Sequence, residues 1–351
     1  MLEGEGIGPE MVDCALRVLE ALESVTGLAF DRVYAGAIGT GAVRQHCTLR
    51  PAEILESCAA VFEEGAPVLA GPVGGRTVYD LRARFGLFCK LVPLRPSPAL
   101  ARANRLREGH VTGLDILVVR ENAGGVYQGT WHAGRNAAGL DYAEHAFGYD
   151  EPAVRRILEV AARASRQRRG SMAVVLKDGG VPAISDLWRR CGVEVADAAG
   201  IEVKFLNVDL AAYQLVQEPR RFDVIACPNL FGDILADLGA ILLGSRGLSF
   251  SGNFSASGRA IYQTNHGAGH DLVGQGVANP AGQILSLAML LRESFGLGHE
   301  ASLIEDAVEH VWRAGWRTFD LPEEDCRIIG TRELADRVAE AVKRLASVGV
   351  A

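Results

Sequence analysis

The stretch PNLFGDILAD, residues 228–237, follows the apolar run FDVIA at residues 222–226. The apolar run is typical of a buried strand, and a helix from Leu230 onward would place Asp233 and Asp237 one above the other on the same face. Like charges at this spacing repel each other, so we expect something positive between them. Hard divalent cations such as Mg²⁺ or Mn²⁺ prefer carboxylate oxygens and would fit there. A solvated acidic helix face has the same spacing, so the decision rests on the other segments of the chain.

The composition is that of a globular protein with no nucleic-acid or membrane partner. The chain has 351 residues, 48% of them hydrophobic and 23% charged, and a net charge of −7. This length exceeds the limit of about 250–300 residues for a single core, so two lobes are expected. The negative net charge gives no reason to expect nucleic acid or a membrane surface as a partner. No apolar run approaches the roughly 18 residues that span a bilayer.

The N-terminus and the cysteines indicate a cytoplasmic protein. The first residues show no basic region followed by an apolar core, so no signal peptide is expected. The seven cysteines are scattered singly and none forms a Cys-x-x-Cys pair. This usage fits a reducing compartment and argues against a structural zinc site. Few residues precede the first glycine-rich turn, so the usual opening strand looks clipped.

Short apolar runs alternate with amphipathic helical patterns along the chain. This alternation predicts an α/β protein with a largely parallel sheet. The predicted strands cover residues 66–70, 116–119, 172–176 and 223–227, and the clearest helices cover residues 10–25, 152–168 and 282–295.

Four polar residues follow predicted strands, where α/β proteins place their ligands. Arg120 could bind a carboxylate through two parallel hydrogen bonds, and Tyr127 could donate a proton if a nearby cation lowers its pKa. Lys177 could act as a base near a metal ion, and Asp209 adds a third carboxylate. Each residue taken alone could equally be an ordinary surface residue.

A loop rich in glycine, histidine and asparagine, residues 262–280, leads into a helix. Such a loop can present backbone N–H groups to a phosphate. Asp271 could accept hydrogen bonds from ribose hydroxyls, and it would repel a 2′-phosphate. The earlier glycine-rich segment at residues 4–10, GEGIGPE, does not match the dinucleotide fingerprint G-x-G-x-x-G and is only a tight turn into a helix.

Taken in order, these segments resemble the isocitrate/3-isopropylmalate dehydrogenase family of metal-dependent β-decarboxylating dehydrogenases. The resemblance extends over nearly the whole chain and is carried by residues 4–10, 229–237, 278–286 and 317–321. It implies a two-lobed α/β fold with mixed sheets flanked by helices, which is not a standard Rossmann fold. The large domain would contain residues 1–90 and 244–351, and the small domain would contain residues 91–243.

The resemblance also implies the chemistry: oxidative decarboxylation of a 3-substituted malate with NAD and Mg²⁺ or Mn²⁺, in a homodimer whose active sites are shared between subunits. Asp233 and Asp237 would bind the metal together with Asp209 of the partner subunit. Tyr127 would be the acid, and Lys177 of the partner subunit would be the base. Arg82 and Arg120 would bind substrate carboxylates. Residues on the cofactor would be Ile7, His266, Gly267, Asp271 and Asn279, and Asp271 favours NAD.

The chain departs from the family at three places. An arginine that binds a substrate carboxylate is expected ten residues after Arg82, where this chain has Val92; either an insertion moved it to Arg95, or one cation has been lost. The segment that contacts the substrate's variable group contains Arg76, which suits an acidic tail such as a carboxylate or phosphonate if it does not point to solvent. Val78 and Tyr79 in the same segment suit an apolar tail. Gln263 replaces a glutamate near the cofactor.

Two alternatives stay open from the sequence. The chain could be a non-catalytic regulatory subunit of a hetero-oligomeric dehydrogenase, although such subunits typically lose metal or catalytic residues that are present in this chain. It could also oxidise D-malate or tartrate, if the pocket lined by residues 76–79 does not admit a tail.

Overall fold

The structure, a computed structural model, describes residues 1–35, 51–73 and 75–348. Its strands are β1 (Val68–Ala70), β2 (Cys89–Leu94), β3 (Ile116–Glu121), β4 (Thr130–Arg135), β5 (Asp141–Ala146), β6 (Ser171–Leu176), β7 (Glu202–Asn207), β8 (Val224–Cys227), β9 (Phe250–Phe254), β10 (Ala260–Thr264), β11 (Trp316–Arg317) and β12 (Arg327–Ile328).

The α-helices surround this set of strands. They are α1 (Gly8–Thr26), α2 (Pro51–Glu63), α3 (Thr77–Phe85), α4 (Glu108–Val111), α5 (Glu151–Arg166), α6 (Pro182–Ala199), α7 (Val208–Gln217), α8 (Asn229–Leu243), α9 (Ala281–Phe295), α10 (Gly298–Arg313) and α11 (Thr331–Val348). Helix α1 starts two residues before the predicted boundary because Pro9, which has a fixed φ and no N–H, fits the first turn of a helix.

One eight-stranded sheet organises the molecule, in the order β1-β10-β9-β2-β3-β8-β6-β7. The pairs on the β3-β8-β6-β7 side are parallel, as predicted, and β1 is parallel to β10. The central pairs β10-β9, β9-β2 and β2-β3 are antiparallel. The sheet is therefore mixed, as the family resemblance implied, and less parallel than strand–helix alternation alone predicted.

Both faces of the sheet are covered by helices. Side chains alternate along each strand, so Val118 and Val119 of β3 point to opposite faces. Val118 belongs to the large cluster of buried apolar side chains that includes α1, α8, α9, α10 and α11. Val119 belongs to a second cluster that includes α5 and α6. Burial on both faces explains why the strands are continuous apolar runs in the sequence.

Strand β2 connects the predicted domains. Residues 89–91 of β2 pair with β3 on one side and with β9 on the other, whereas residues 92–94 pair with β3 only. The predicted boundary between residues 90 and 91 thus falls inside a strand, and the division into two domains stays a prediction.

Three further observations bear on the sequence analysis. Leu2 forms an isolated parallel bridge with Ala70 beside β1. Within the described ranges, the cysteines are free, and Cys47 lies outside those ranges. Across the same ranges, no helix is both long and apolar enough to cross a bilayer.

Candidate active site

Helix α8 carries both aspartates of the opening stretch. It begins directly after β8 and Pro228, and it places Asp233 and Asp237 one turn apart on the same face. Gly232 lets the helix approach the sheet, since a Cβ atom there would lie 2.7 Å from Cγ of Arg120 and 2.9 Å from Sγ of Cys227. Asp233 is therefore held against the end of β3.

Arg120, Asp233 and Tyr127 form the centre of the site. The Arg120 guanidinium is 1% exposed and forms an ion pair with Asp233 Oδ1. Its Nε and Nη2 donate to Oδ1 of Asn229 at 3.0 and 2.7 Å, which fixes its orientation. The Tyr127 hydroxyl donates to Asp233 Oδ2 at 2.8 Å. A proton donor, a carboxylate and a buried cation are thus in direct contact.

The charges around Asp233 determine its protonation. Burial by itself would raise the pKa of this carboxyl, but Arg120, Tyr127, Lys90 and Arg82 outweigh burial, so the pKa lies below its usual range. Burial and the hydrogen bond to Asp233 raise the pKa of Tyr127. Asp233 is therefore ionised near neutral pH, and Tyr127 is a neutral donor.

The close approach at Gly232 leads to a prediction. Changing Gly232→Ala should displace Arg120, because the added methyl group meets buried atoms that have no free space, and overpacking of this kind costs about 1–3 kcal/mol. We expect a lower unfolding temperature and a higher KM for substrate. The matched control is Gly298→Ala in α10, where a Cβ meets nothing within 4 Å. Equal unfolding temperatures and KM values for the two variants would contradict this account.

Asp237 is held by a different pair of residues. Its Oδ2 accepts from Nη2 of Arg246 at 2.7 Å, and its Oδ1 accepts from Nδ2 of Asn265 at 3.3 Å. Arg246 and Asn265 both belong to the side of the molecule that carries the glycine- and histidine-rich loop. Asp237 therefore connects the Asp233 cluster to that loop.

Two further cations are buried next to Asp233. Arg82, in the last turn of α3, is 6% exposed, and its Nε has no hydrogen-bond partner within residues 1–35, 51–73 and 75–348. Lys90 of β2 is 3% exposed and lies directly opposite Arg120 in the β2–β3 pair. Burial, with Arg82 and Arg120 nearby, lowers the pKa of Lys90. Sequence analysis missed Lys90, although a lysine inside an apolar strand pattern is the signal that could have identified it.

The segment predicted to contact the variable part of the substrate lies against Tyr127. Arg76 Nη1 donates to the backbone oxygen of Tyr127 at 3.1 Å, and its guanidinium lies 4.9 Å from the ring centre of Trp131. The rings of Tyr79 and Tyr127 are 5.2 Å apart, and Val78 is half-buried. Arg76, whose side chain is 49% exposed, also contacts Asp80 at 3.5 Å. It is therefore held beside the site by these contacts, while about half of its side chain stays exposed to solvent.

Arg95 does not join the cluster. It follows the far end of β2, about 16 Å along the strand from Lys90, and its exposed guanidinium pairs with Asp115 at 3.0 Å. Val92, ten residues after Arg82, lies inside β2 and is 0% exposed. Arg95 therefore leaves the set of candidate substrate-binding residues.

Lys177 and Asp209 form a separate group. Lys177 Nζ donates to Asp209 Oδ1 at 2.6 Å, and this hydrogen bond lowers the pKa of Asp209. Both side chains are exposed, and within the described ranges no hydrogen bond or ion pair joins them to Asp233 or Asp237. One chain thus presents two halves of the predicted catalytic set at separate places.

The two aspartates of α8 offer part of a site for a hard divalent cation. Asp233 and Asp237 offer carboxylate oxygens at one helical turn, which is the ligand type that Mg²⁺ and Mn²⁺ prefer. Among the residues that the structure describes, no three His, Cys, Asp or Glu side chains come together as a metal site. Asp209 of the partner subunit would complete a set of three, and this assignment stays a prediction.

The five residues predicted to bind the cofactor line one cleft of about 610 Å³. They are Ile7, His266, Gly267, Asp271 and Asn279, and they come from three separate segments of the chain. Arg246 lines the same cleft, so the cleft adjoins Asp237 and the Asp233 cluster. Their roles in cofactor binding remain predictions.

His266 presents an unpaired nitrogen. Its Nδ1 donates to the backbone oxygen of Gly267 at 2.9 Å, and because a carbonyl can only accept, Nε2 is the acceptor. Burial lowers the pKa of His266, and Nε2 is buried with no hydrogen-bond partner in the part of the chain that the structure describes. A neutral histidine with a free acceptor suits an uncharged donor such as a ribose or carboxamide group of a nucleotide.

Asp320 also lines this cleft, although its sequence position did not single it out. Its Oδ2 accepts from the Ser245 hydroxyl and from Nδ2 of Asn279 at 3.1 Å. Its Oδ1 is buried and has no hydrogen-bond partner among the described residues. Asp320 holds Asn279 in place. It lay within a motif that supported the family resemblance, and only the contact with Asn279 reveals its position in the site.

Comparisons with known proteins agree with this architecture. The family model described as isocitrate/isopropylmalate dehydrogenase matches residues 1–338. The 3-isopropylmalate dehydrogenases of Oleidesulfovibrio alaskensis and Pseudomonas fluorescens are both 38% identical to the chain, over 97% and 98% of it and 98% of each relative. The crystal structure of isocitrate dehydrogenase from Methylococcus capsulatus superposes with a TM-score of 0.86 at 30% identity, covering 97% of this chain and 98% of that one.

The match extends over nearly the whole of both proteins in each comparison. The relatives carry names for two different substrates, so the comparisons support the reaction type and leave the substrate of this chain open. The chain belongs to the isocitrate/isopropylmalate dehydrogenase family and is an enzyme of the decarboxylating dehydrogenase type.

Proposed function

We propose that the protein catalyses the NAD-dependent, Mg²⁺- or Mn²⁺-dependent oxidative decarboxylation of a 3-substituted malate to a 2-oxo acid and CO₂. The observation that carries the proposal is the contact between Tyr127, Asp233 and Arg120, next to the buried Arg82. This arrangement combines a neutral proton donor with cations that bind carboxylates.

Different residues of the site would bind the substrate and the metal ion. Arg82 and Arg120 would bind and orient the carboxylates of the malate core, since guanidinium groups match the planar carboxylate geometry. Asp233 and Asp237, with Asp209 of the partner subunit, would hold the metal ion. When bound, the metal would polarise the hydroxyl or carbonyl oxygen and the nicotinamide would accept hydride.

Two protein groups would move protons in this scheme. Lys177 of the partner subunit would take the proton from the substrate hydroxyl, and Tyr127 would give a proton to the carbon that loses CO₂. The pKa of Tyr127 is raised by burial and by Asp233, not lowered as the sequence analysis required. The phenol therefore keeps its proton, and a cation bound at Asp233 would be needed to lower this pKa for proton donation. The presence of all these groups argues against a non-catalytic regulatory subunit.

Shared active sites account for the separation of Lys177 and Asp209 from Asp233. We infer a homodimer, and the hairpin β4–β5 is a candidate for part of its interface. Both strands of this hairpin are exposed along their whole length, and they include Trp131 at 60% and Tyr142 at 43% exposure. Aromatic side chains on a two-stranded ribbon need a partner to be shielded from water.

Arg76 favours a substrate with an acidic tail. It is anchored beside Tyr127, and Asp80 at 3.5 Å neutralises it only in part. A carboxylate or phosphonate tail would complete its pairing. Val78 and Tyr79 in the same segment would contact the apolar part of the tail.

The test is NADH formation with Mg²⁺ or Mn²⁺ and a panel of isocitrate, homoisocitrate, 3-isopropylmalate, D-malate, tartrate and a phosphonate analogue of isocitrate. Turnover of an acidic-tailed compound supports the proposal. Turnover of 3-isopropylmalate supports the reaction and places Arg76 away from the tail. Turnover of D-malate or tartrate alone would mean that Tyr79 and Tyr127 close the tail pocket. No turnover of any compound would contradict the proposal.

Arg76 leads to a second prediction. Changing Arg76→Met should lower kcat/KM for isocitrate about tenfold, because a charge-assisted contact to the tail is lost. D-malate has no tail, so its kcat/KM should stay unchanged. Arg313→Met is the matched control, since Arg313 lies on helix α10, away from the site and the hairpin, with 68% of its side chain accessible. An equal loss of kcat/KM for isocitrate and D-malate would show that Arg76 acts by holding Tyr127 in position and does not bind the substrate's tail.

A further inference from the structure

Lys90 is a buried lysine without a direct partner among the residues that the structure describes. It is 3% exposed, and within the described ranges its ammonium group makes no hydrogen bond or ion pair. Burying an unpaired ammonium group is costly, and proteins normally pair such a charge or keep it at the surface. A lysine in this situation therefore needs an explanation.

The strand register places Lys90 in the candidate active site. In β2 it lies opposite Arg120 of β3 on one side and Asn253 of β9 on the other. The charged groups whose fields act on Lys90 are Arg82, Arg120, Asp233 and Asp237. Both aspartates are already paired with arginines, Asp233 with Arg120 and Asp237 with Arg246. The surroundings of Lys90 thus favour an additional anion.

Lys90 also lies on the face of β2 from which a cation is missing. Residues two apart in a strand point to the same face, so Lys90 and Val92 share a face. Val92 occupies the position where the family resemblance predicts a carboxylate-binding arginine, and it is part of the apolar core. In the β2–β3 pair, Lys90 lies opposite Arg120, and Val92 lies opposite Val118, two residues further along the strands. Lys90 therefore carries a positive charge on the same face as Val92, two residues away and next to Arg120.

We propose that Lys90 is a substrate-binding residue that supplies the third cation for the carboxylates of the malate core, in place of the arginine absent at Val92. This inference rests on the function proposed above. Arg82, Lys90 and Arg120 would then surround one anionic substrate. A lysine binds as a point charge and lacks the planar fork of an arginine, so the site should discriminate less by the geometry of the anion.

The test compares Lys90→Met, which keeps the length and removes the charge, with Lys90→Gln and Lys90→Arg. Arg95→Met is the matched control, because Arg95 belongs to the same segment and lies outside the site. Binding of isocitrate and 3-isopropylmalate is measured by calorimetry in the presence of Mg²⁺, together with KM, kcat, NAD binding and the unfolding temperature. Calorimetry reports binding without requiring turnover.

We expect Kd and KM for substrate to rise about 10- to 150-fold in Lys90→Met, which is the range for loss of one charge-assisted hydrogen bond. Lys90→Gln should also raise Kd and KM for substrate, and Lys90→Arg should retain part of the substrate binding. The Kd for NAD should not change. The unfolding temperature of Lys90→Met should be equal to or above that of the wild type, because an unpaired buried charge is removed.

The results that overturn the inference are distinct from those that overturn the proposed function. If the wild type binds a substrate and Lys90→Met and Lys90→Gln bind it equally well, Lys90 is not a ligand of that substrate and the function stands. A fall in unfolding temperature with unchanged Kd would show a structural role instead. If Lys90→Met does not fold, Lys90→Gln decides between these outcomes. If the wild type binds and turns over none of the compounds, the proposed function fails and the inference fails with it.

Discussion

Replacing Asp233 with asparagine is expected to lower kcat about a thousandfold or more while the fold is kept. Both carboxylate oxygens of Asp233 are engaged, since Oδ1 pairs with Arg120 and Oδ2 accepts from Tyr127 at 2.8 Å. An amide would turn one acceptor into a donor facing another donor, and it would remove the negative charge that we propose binds a metal. Losses of this size follow when one preorganised electrostatic contact is removed from an active site.

The measurement is kcat with NAD over a titration of Mg²⁺ and Mn²⁺, with circular dichroism to verify the fold. Asp306→Asn is the matched control, because Asp306 is an exposed aspartate on helix α10. We expect wild-type kcat and metal dependence in the control. Full activity of Asp233→Asn, or wild-type activity without added metal, would refute the metal assignment.

Mixing two inactive variants is expected to restore activity. In the proposed dimer, Asp233 and Tyr127 of one subunit meet Lys177 and Asp209 of the other. A heterodimer of an Asp233→Asn chain with a Lys177→Met chain has both changes in one site and an intact second site. Random assortment makes about half of all dimers heterodimers, so the mixture should reach about a quarter of wild-type activity from two nearly inactive proteins.

The control mixture combines Asp233→Asn with Tyr127→Phe. These two residues touch each other within one chain, so every heterodimer has one change in each site and the mixture should stay inactive. Heterodimers are isolated with two different affinity tags to show that the subunits exchange. If the Asp233→Asn and Lys177→Met heterodimer is inactive, the sites are not shared and the dimer proposal is wrong.

The motifs in the chain were sufficient to predict the fold class and the family. The stretch at residues 228–237 forms a helix after a buried strand, as its spacing predicts, and both aspartates lie on one face. The predicted cofactor residues, although far apart in sequence, line one cleft. The helix and the placement of its two aspartates depend on local periodicity and can be derived from the chain itself, whereas the cofactor residues were implied by the family resemblance.

The sheet pairing decided which basic residues belong to the site. Arg95 and Lys90 lie on the same segment, and from the sequence Arg95 was the nearer match to the missing arginine. In the structure Arg95 lies beyond the far end of β2, whereas Lys90 lies opposite Arg120. Which end of a strand faces the site, and which side chains meet across strands, depends on pairings between residues far apart in the chain.

The sequence by itself therefore determined the family, the α/β architecture and the chemical types of group available to the site. Only the tertiary structure decided that Lys90 is buried among Arg82, Arg120 and Asp233, and that Arg76 is anchored on Tyr127. It also showed that Lys177 and Asp209 stand apart from Asp233 in the described chain. The physical reason is that periodicity and capping are local, whereas burial and pairing of charges are set by register and helix packing over long distances along the chain.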